Sequence, residues 1–138
     1  MSVFDTIRIA ASGLTAQRLR MDIAASNLAN AQTTRSSGGT GQPYEAQAVV
    51  FQATQMGPDA SAQGGSAVAI VNSNRPNIRT YDPGNPDADA QGFVTYPNVD
   101  VSTEMTDMMG AARSYQVNAT VAQAAKQQAL DALDLGKA

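Results

Sequence analysis

The chain has 138 residues, a formal charge of -3, no cysteine and no histidine. Such a length fits one domain, or one domain with a small appendage. Disulfides and thiolate metal sites are excluded, and the usual general base and commonest metal ligand are both missing. No Lys/Arg cluster supplies a phosphate-binding footprint, so nucleic acid is not an expected partner.

The first zone, residues 1–34, reads as one long helix. Ile7, Leu14, Met21 and Leu28 sit seven residues apart, with Phe4, Ala11, Arg18 and Ala25 in the second heptad position. Ser2 is the expected N-cap, with Asp5 three residues on. Gly13 costs this helix about 1 kcal/mol relative to Ala but lets another backbone approach closely. The zone ends in MDIAASNLANAQTT, residues 21–34, where Asn, Ser, Gln and Thr compete with helical backbone bonding. Asn27 and Asn30 lie beside the seam, and we expect their amides to reach neighbouring chains or to serve the helix end. No apolar run in this region spans a bilayer, and charged residues interrupt what a cleaved signal peptide needs, so neither is expected.

The middle zone, residues 35–98, is read as a small β-hairpin-rich lobe. A Ser/Gly/Thr connector over 36–41 is followed by an expected strand over 44–52. Residues 57–66 read as turn-rich, 67–71 and 78–81 as short strands, and 92–96 as one more. Asp82-Pro83-Gly84-Asn85-Pro86 is a strong breaker. Asp87-Ala88-Asp89-Ala90-Gln91-Gly92 imitates the start of a calcium loop, but position five is Gln91, position twelve is Asn98 in place of a bidentate Glu, and the flanks are not two helices, so local Asx bonding is the expected reading.

The last zone, residues 99–138, repeats the heptad logic. Val101, Met108, Tyr115, Ala122 and Ala129 form one series; Met105, Ala112, Ala119, Lys126 and Leu133 form the other. Asp100 or Ser102 can cap the start, and Gly136 suits the end. The expected fold is therefore mainly α, with two long terminal helices packed as an antiparallel coiled-coil-like pair around a β-hairpin-rich insert.

No nucleophile has an activating base within reach of the sequence pattern, and Lys126 at the seam edge reads as a snorkelling side chain, so an enzyme is not expected, nor any cofactor or metal. The glycines at 38, 39 and 41 lack the Lys-Ser/Thr of a phosphate loop. The helical seams are rich in Ala, and a buried Ala methyl contributes roughly 1 kcal/mol against 1.5–3 for a Leu side chain. Two such helices are marginal alone, which points to an assembly subunit whose contacts fall on Phe4, Ile7, Leu14, Met21, Asn27, Leu28 and Asn30 of the first helix. On the second they fall on Val101, Met105, Met108, Ala112, Tyr115, Ala119, Ala122 and Leu133.

Four stretches resemble a known family. Ser12-Gly13-Leu14-Thr15-Ala16-Gln17 with Ala25-Ser26-Asn27-Leu28-Ala29-Asn30-Ala31 resembles the N-terminal signature of bacterial flagellar rod and hook axial proteins. Gln42-Pro43-Tyr44 leading to Val49-Val50-Phe51 resembles that family's early strand. The stretches 81–89 and 96–101 resemble its proximal rod members, and Glu104-Met105 with Arg113-Ser114-Tyr115-Gln116-Val117-Asn118 resembles its C-terminal signature. The resemblance implies a non-enzymatic subunit of the basal-body proximal rod. It implies export without cleavage by the flagellar type III apparatus and polymerisation through the terminal helices into part of the drive shaft. It implies as partners copies of the chain, other proximal rod proteins and the export-gate adaptor protein, without membrane insertion. The alternatives are another rod or hook subunit, or a helical adaptor that binds amphipathic partners through its Met-rich helix.

Overall fold

The computed structural model describes residues 3–35, 42–56 and 62–136. The order of elements is α1 (Val3–Ala29), β1 (Gln47–Met56), β2 (Ala62–Asn72), β3 (Ile78–Tyr81), β4 (Phe93–Tyr96) and α2 (Val101–Leu135). Two long helices pack on each other, and two antiparallel two-stranded sheets, β1-β2 and β3-β4, fill the middle. The expected Ser2 cap and the 36–41 connector lie outside the described residues.

The helix pair is antiparallel. Arg20 binds Asp107 at 2.8 Å, and Gly13 lies against Asn118, so positions fall along α1 as they rise along α2. Its packed face is not the most apolar one. Ala10, Ala16, Ile23, Ala24 and Asn27 are buried on α1, and Ala111 and Ala125 on α2. Tyr115 is exposed, Met108, Ala122 and Ala129 are half-buried, and the positions beside them in the seam are Glu104, Ala111, Asn118 and Ala125. That corrects the second α2 series: Met105, Ala112, Lys126 and Leu133 are exposed, and only Ala119 of it is half-buried. Phe4, Ala11, Arg18 and Ala25 are likewise exposed on α1, while Ile7, Leu14, Met21 and Leu28 are half-buried. A heptad allows a step of three or of four residues between its two seam positions. Apolar content favours the register with Met105 and Ala112. The fold takes the other, because Gly13 makes room for Asn118 and Arg20 supplies a partner for Asp107.

A Cβ at Gly13 would stand 2.7 Å from Nδ2 of Asn118. This is the close approach that the glycine permits, made to a side chain of the partner helix.

Asp100 caps α2. Its backbone is extended, and its carboxylate accepts the Ser102 N–H at 3.0 Å and the Thr103 hydroxyl at 2.8 Å. Thr103 first, then the Ser102 amide, holds this carboxyl below its ordinary value of 3.8. Gly136 ends the helix with φ -77°, in the right-handed region, so the stop uses no left-handed cap; its N–H returns to the carbonyl of Ala132.

In the middle, β1 pairs with β2 from Gln47↔Asn72 to Met56↔Ala62, with a register shift between Val50 and Phe51. Residues 62–66, expected as turn, are therefore strand; an antiparallel partner overrides the weak strand propensity of Gly64 and Gly65. The expected 78–81 and 92–96 strands appear as β3 and β4. Gly92 precedes β4 with φ +81°, a conformation that L side chains rarely adopt. Tyr81 packs edge-on against Phe93 at 5.3 Å, and Val94 is buried.

Two outcomes follow from these contacts. Gly13→Ala alone should leave stability near wild type, because the helix gain of about 1 kcal/mol is offset by displacement of Asn118. In an Asn118→Ala background the same substitution should stabilise by about 1 kcal/mol, read from urea midpoints. For the cap, a depressed folded-state pKa gives stability that is complete above 3.8 and is lost as pH falls through the lower folded value. Acidification should therefore release the Ser102 amide, seen as a fall in its protection factor once the intrinsic pH dependence of exchange is divided out, and Asp100→Asn should flatten that response.

Candidate functional site

The polar stretch at the end of α1 is where helix and hairpin meet. Asn27 is 1% exposed. Its Nδ2 donates to the carbonyl of Gln47 at 2.8 Å, and its Oδ1 accepts the Gln47 N–H at 2.9 Å. The side-chain amide thus pairs with one residue of β1 as a neighbouring strand would. Tyr44 donates its hydroxyl to the same Oδ1 at 3.0 Å and lies 3.3 Å from the Ser26 hydroxyl. Every strong bonding group of the Asn27 amide except one Nδ2 hydrogen is thereby engaged inside the chain.

Asn30 does different work. Its Nδ2 donates to the Ser26 carbonyl at 2.9 Å, and its backbone N–H goes to the same atom at 3.1 Å. Its Oδ1 accepts the Thr33 hydroxyl, and Thr33 in turn accepts the Tyr44 N–H. Asn30 closes the last turn of α1 and directs the chain toward β1. Both amides are engaged inside the chain, Asn27 with the hairpin and Asn30 with the helix end, the latter being one of the two roles expected of them.

The calcium-like turn is also committed. Asp87 pairs with Arg35 and accepts the Thr34 hydroxyl; Asp89 accepts the N–H groups of Gln91 and Phe93 and pairs with Arg79. The Phe93 amide above all holds the Asp89 carboxyl below the ordinary carboxylate value. The Asp87 N–H closes an Asx turn onto Asn85.

A cleft of about 410 Å³ opens between the helix pair and the start of β1, with Arg20, Ile23, Val49, Phe51 and Asp107 among its walls. Arg20 and Asp107 are partly exposed, so this ion pair is worth at most about 1 kcal/mol and acts chiefly on register. The apolar surface lies elsewhere. Phe4, Met105, Met109, Leu133 and Leu135 are each more than half exposed. No described helix is long and apolar enough to cross a membrane.

Comparison with known proteins gives these surfaces a context. A family model described as flagella basal body rod protein matches residues 7–35, and one described as flagellar basal body rod FlgEFG protein C-terminal matches residues 90–135. The flagellar basal-body rod protein FlgC of Escherichia coli O6:H1 is 45% identical over 99% of this chain and 100% of its own length. The chain belongs to the FlgC family of flagellar basal-body rod proteins. FlgC of Salmonella typhimurium is 44% identical over the same shares, and FlgC of Bacillus subtilis 38% over 99% of this chain and all of the relative. The matched segments fall on α1 with its polar end and on β4 with α2, and so include both helices of the pair. Membership makes the protein a structural subunit of the basal-body rod, not an enzyme.

The sequence singles out residues 21–34 as a polar stretch beside the seam, but the partner of Asn27 lies outside that stretch. Nothing in the local pattern marks Gln47 as the partner, twenty residues away. Tyr44 was legible only as a strand aromatic. Asn27→Ala should cost about 2–3 kcal/mol, because it strands the Gln47 N–H and carbonyl, whereas Tyr44→Phe should cost about 1 kcal/mol. Equal denaturation midpoints for the two variants would overturn this ranking.

Proposed function

We propose that the chain polymerises through the exposed apolar sides of its terminal helices as a subunit of the proximal part of the rod. The observation that supports this reading is the inversion of its apolar residues. Among the described residues, the fully buried apolar positions apart from Ile23 and Val94 are alanines, while Phe4 of α1 and Met105, Met109, Val117, Leu133 and Leu135 of α2 stand exposed. Large apolar side chains left exposed together on a small chain mark contact sites. A core of alanines leaves much of the stabilisation to burial between subunits.

Copies of the chain, other proximal rod proteins and the export-gate adaptor protein are the proposed neighbours. The subunit leaves the cytoplasm through the flagellar type III apparatus without cleavage. A chain with so thin a core unfolds at little cost for that passage, and it gains stability where neighbours cover it. Residues 35–98 act as a lobe apart from the helical core formed by 1–34 and 99–138. Within the proposed interface, the outward residues Phe4, Val101, Met105, Ala112, Tyr115 and Leu133 carry direct contacts. Ile7, Leu14, Met21, Leu28, Met108, Ala119 and Ala122, half-buried in the monomer, complete them.

Met109 is 57% exposed. Met109→Asp should leave the melting of the purified monomer within about 0.5 kcal/mol of wild type yet abolish swimming and rod formation in a strain lacking the natural gene. Normal swimming would refute the assembly role of this surface.

A further inference from the structure

Two side-chain amides meet inside the α1–α2 seam. Gly13 has no side chain, and the half-buried Asn118 uses the space this leaves. A Cβ at Gly13 would stand 2.7 Å from Nδ2 of Asn118, 3.2 Å from its Cγ and 3.5 Å from its Oδ1. Gln17 follows Gly13 by four residues, so the two share one face of α1. Helical side chains lean toward the N-terminus and cover the turn before their own Cα. The Gln17 side chain therefore lies over the turn of Gly13, on the side where Asn118 packs. Its Oε1 is buried and, among the described residues, has no hydrogen-bond partner. The fully buried seam residues Ala10, Ala16, Ala111 and Ala125 bring no side-chain donor to it.

We infer that Gln17 and Asn118 form an amide pair across the seam, and that this pair sets the rotational register of α2 rather than the stability of the helix pair. A buried acceptor without a partner is destabilising. Nδ2 of Asn118 carries two N–H donors, and a turn of its amide or one bridging water brings a donor to Oε1 of Gln17. The seam needs such a device. The register in use turns Glu104, Ala111, Asn118 and Ala125 inward, and the more apolar set, Met105, Ala112, Ala119, Lys126 and Leu133, stands one residue further on. Successive helical residues are about 100° apart, so rotating α2 by roughly half of that exchanges the two sets. Apolar burial favours the second set, which would cover Met and Leu in place of Ala. In that register Asn118 leaves the Gly13 space, and Gln17 keeps a buried acceptor with no donor. In coiled coils a single polar seam residue fixes the alignment in this way at some cost in stability. The register also decides which residues of α2 face outward.

The chain has no cysteine, so a single cysteine reports the side of α2 on which it stands. Ala111 is buried and Ala112 exposed, and Ala125 and Lys126 repeat the contrast two heptads on. In the purified full-length chain, Ala111→Cys should react with a maleimide on the order of tenfold more slowly than Ala112→Cys, and Ala125→Cys more slowly than Lys126→Cys. Gln17→Met together with Asn118→Leu nearly keeps the side-chain volumes and removes both amides. That double variant should erase both differences in reactivity, with a urea midpoint no lower than wild type. Ser114→Ala removes the half-buried hydroxyl one turn before Asn118 and should leave both differences intact. Unchanged differences in the double variant, or an equal loss in Ser114→Ala, overturn the inference. Should the double variant not fold, Gln17→Ala alone must reduce both differences, and an unchanged result there is equally decisive against the pair.

Discussion

The pairing of one side-chain amide with one backbone residue holds the molecule together. Asn27 bonds both the N–H and the carbonyl of Gln47, and the hairpin is thereby joined to the end of α1. A buried amide without partners is costly, so this geometry is enforced rather than merely allowed. Tyr44 and Asn30 support it from either side, the first through the shared Oδ1 and the second by finishing the helix. The loop, the hairpin and the cleft take their positions from that junction.

The junction also explains how so thin a core is tolerated. The α1–α2 seam is lined by alanines, with Gly13 fitted against Asn118 and Arg20 joined to Asp107. Small residues permit close contact but bury little area. Specificity comes from polar and steric fit, and net stabilisation from apolar burial that the monomer leaves incomplete. In a rod subunit that division is useful, because the same large side chains that a monomer leaves in water are available to neighbours.

Much of this was legible in the chain itself. The heptads of residues 4–28 and 101–133 announced two long helices, and Asp100 announced a cap that the structure contains. The β3 and β4 strands were visible from their aromatic and β-branched residues and the breaker between them. The register of the seam was not visible, since a three-residue and a four-residue step fit the same heptad and the apolar content favoured the one not used. The strand over 62–66 was hidden because its glycines carry a turn signal, and only the opposing residues of β1 make a ladder of them.

The amino-acid sequence alone determined the helical periodicity, the absence of thiol and imidazole chemistry, and the resemblance to rod proteins, since each resides in residue identity and local spacing. The tertiary structure alone decided which heptad positions are buried and where the Asn27 amide is spent. Those depend on pairings between residues far apart in the chain, such as Asn27 with Gln47, Gly13 with Asn118 and Arg20 with Asp107. A polar side chain has many possible partners, and its spacing along one helix does not say which of them the fold will bring within reach.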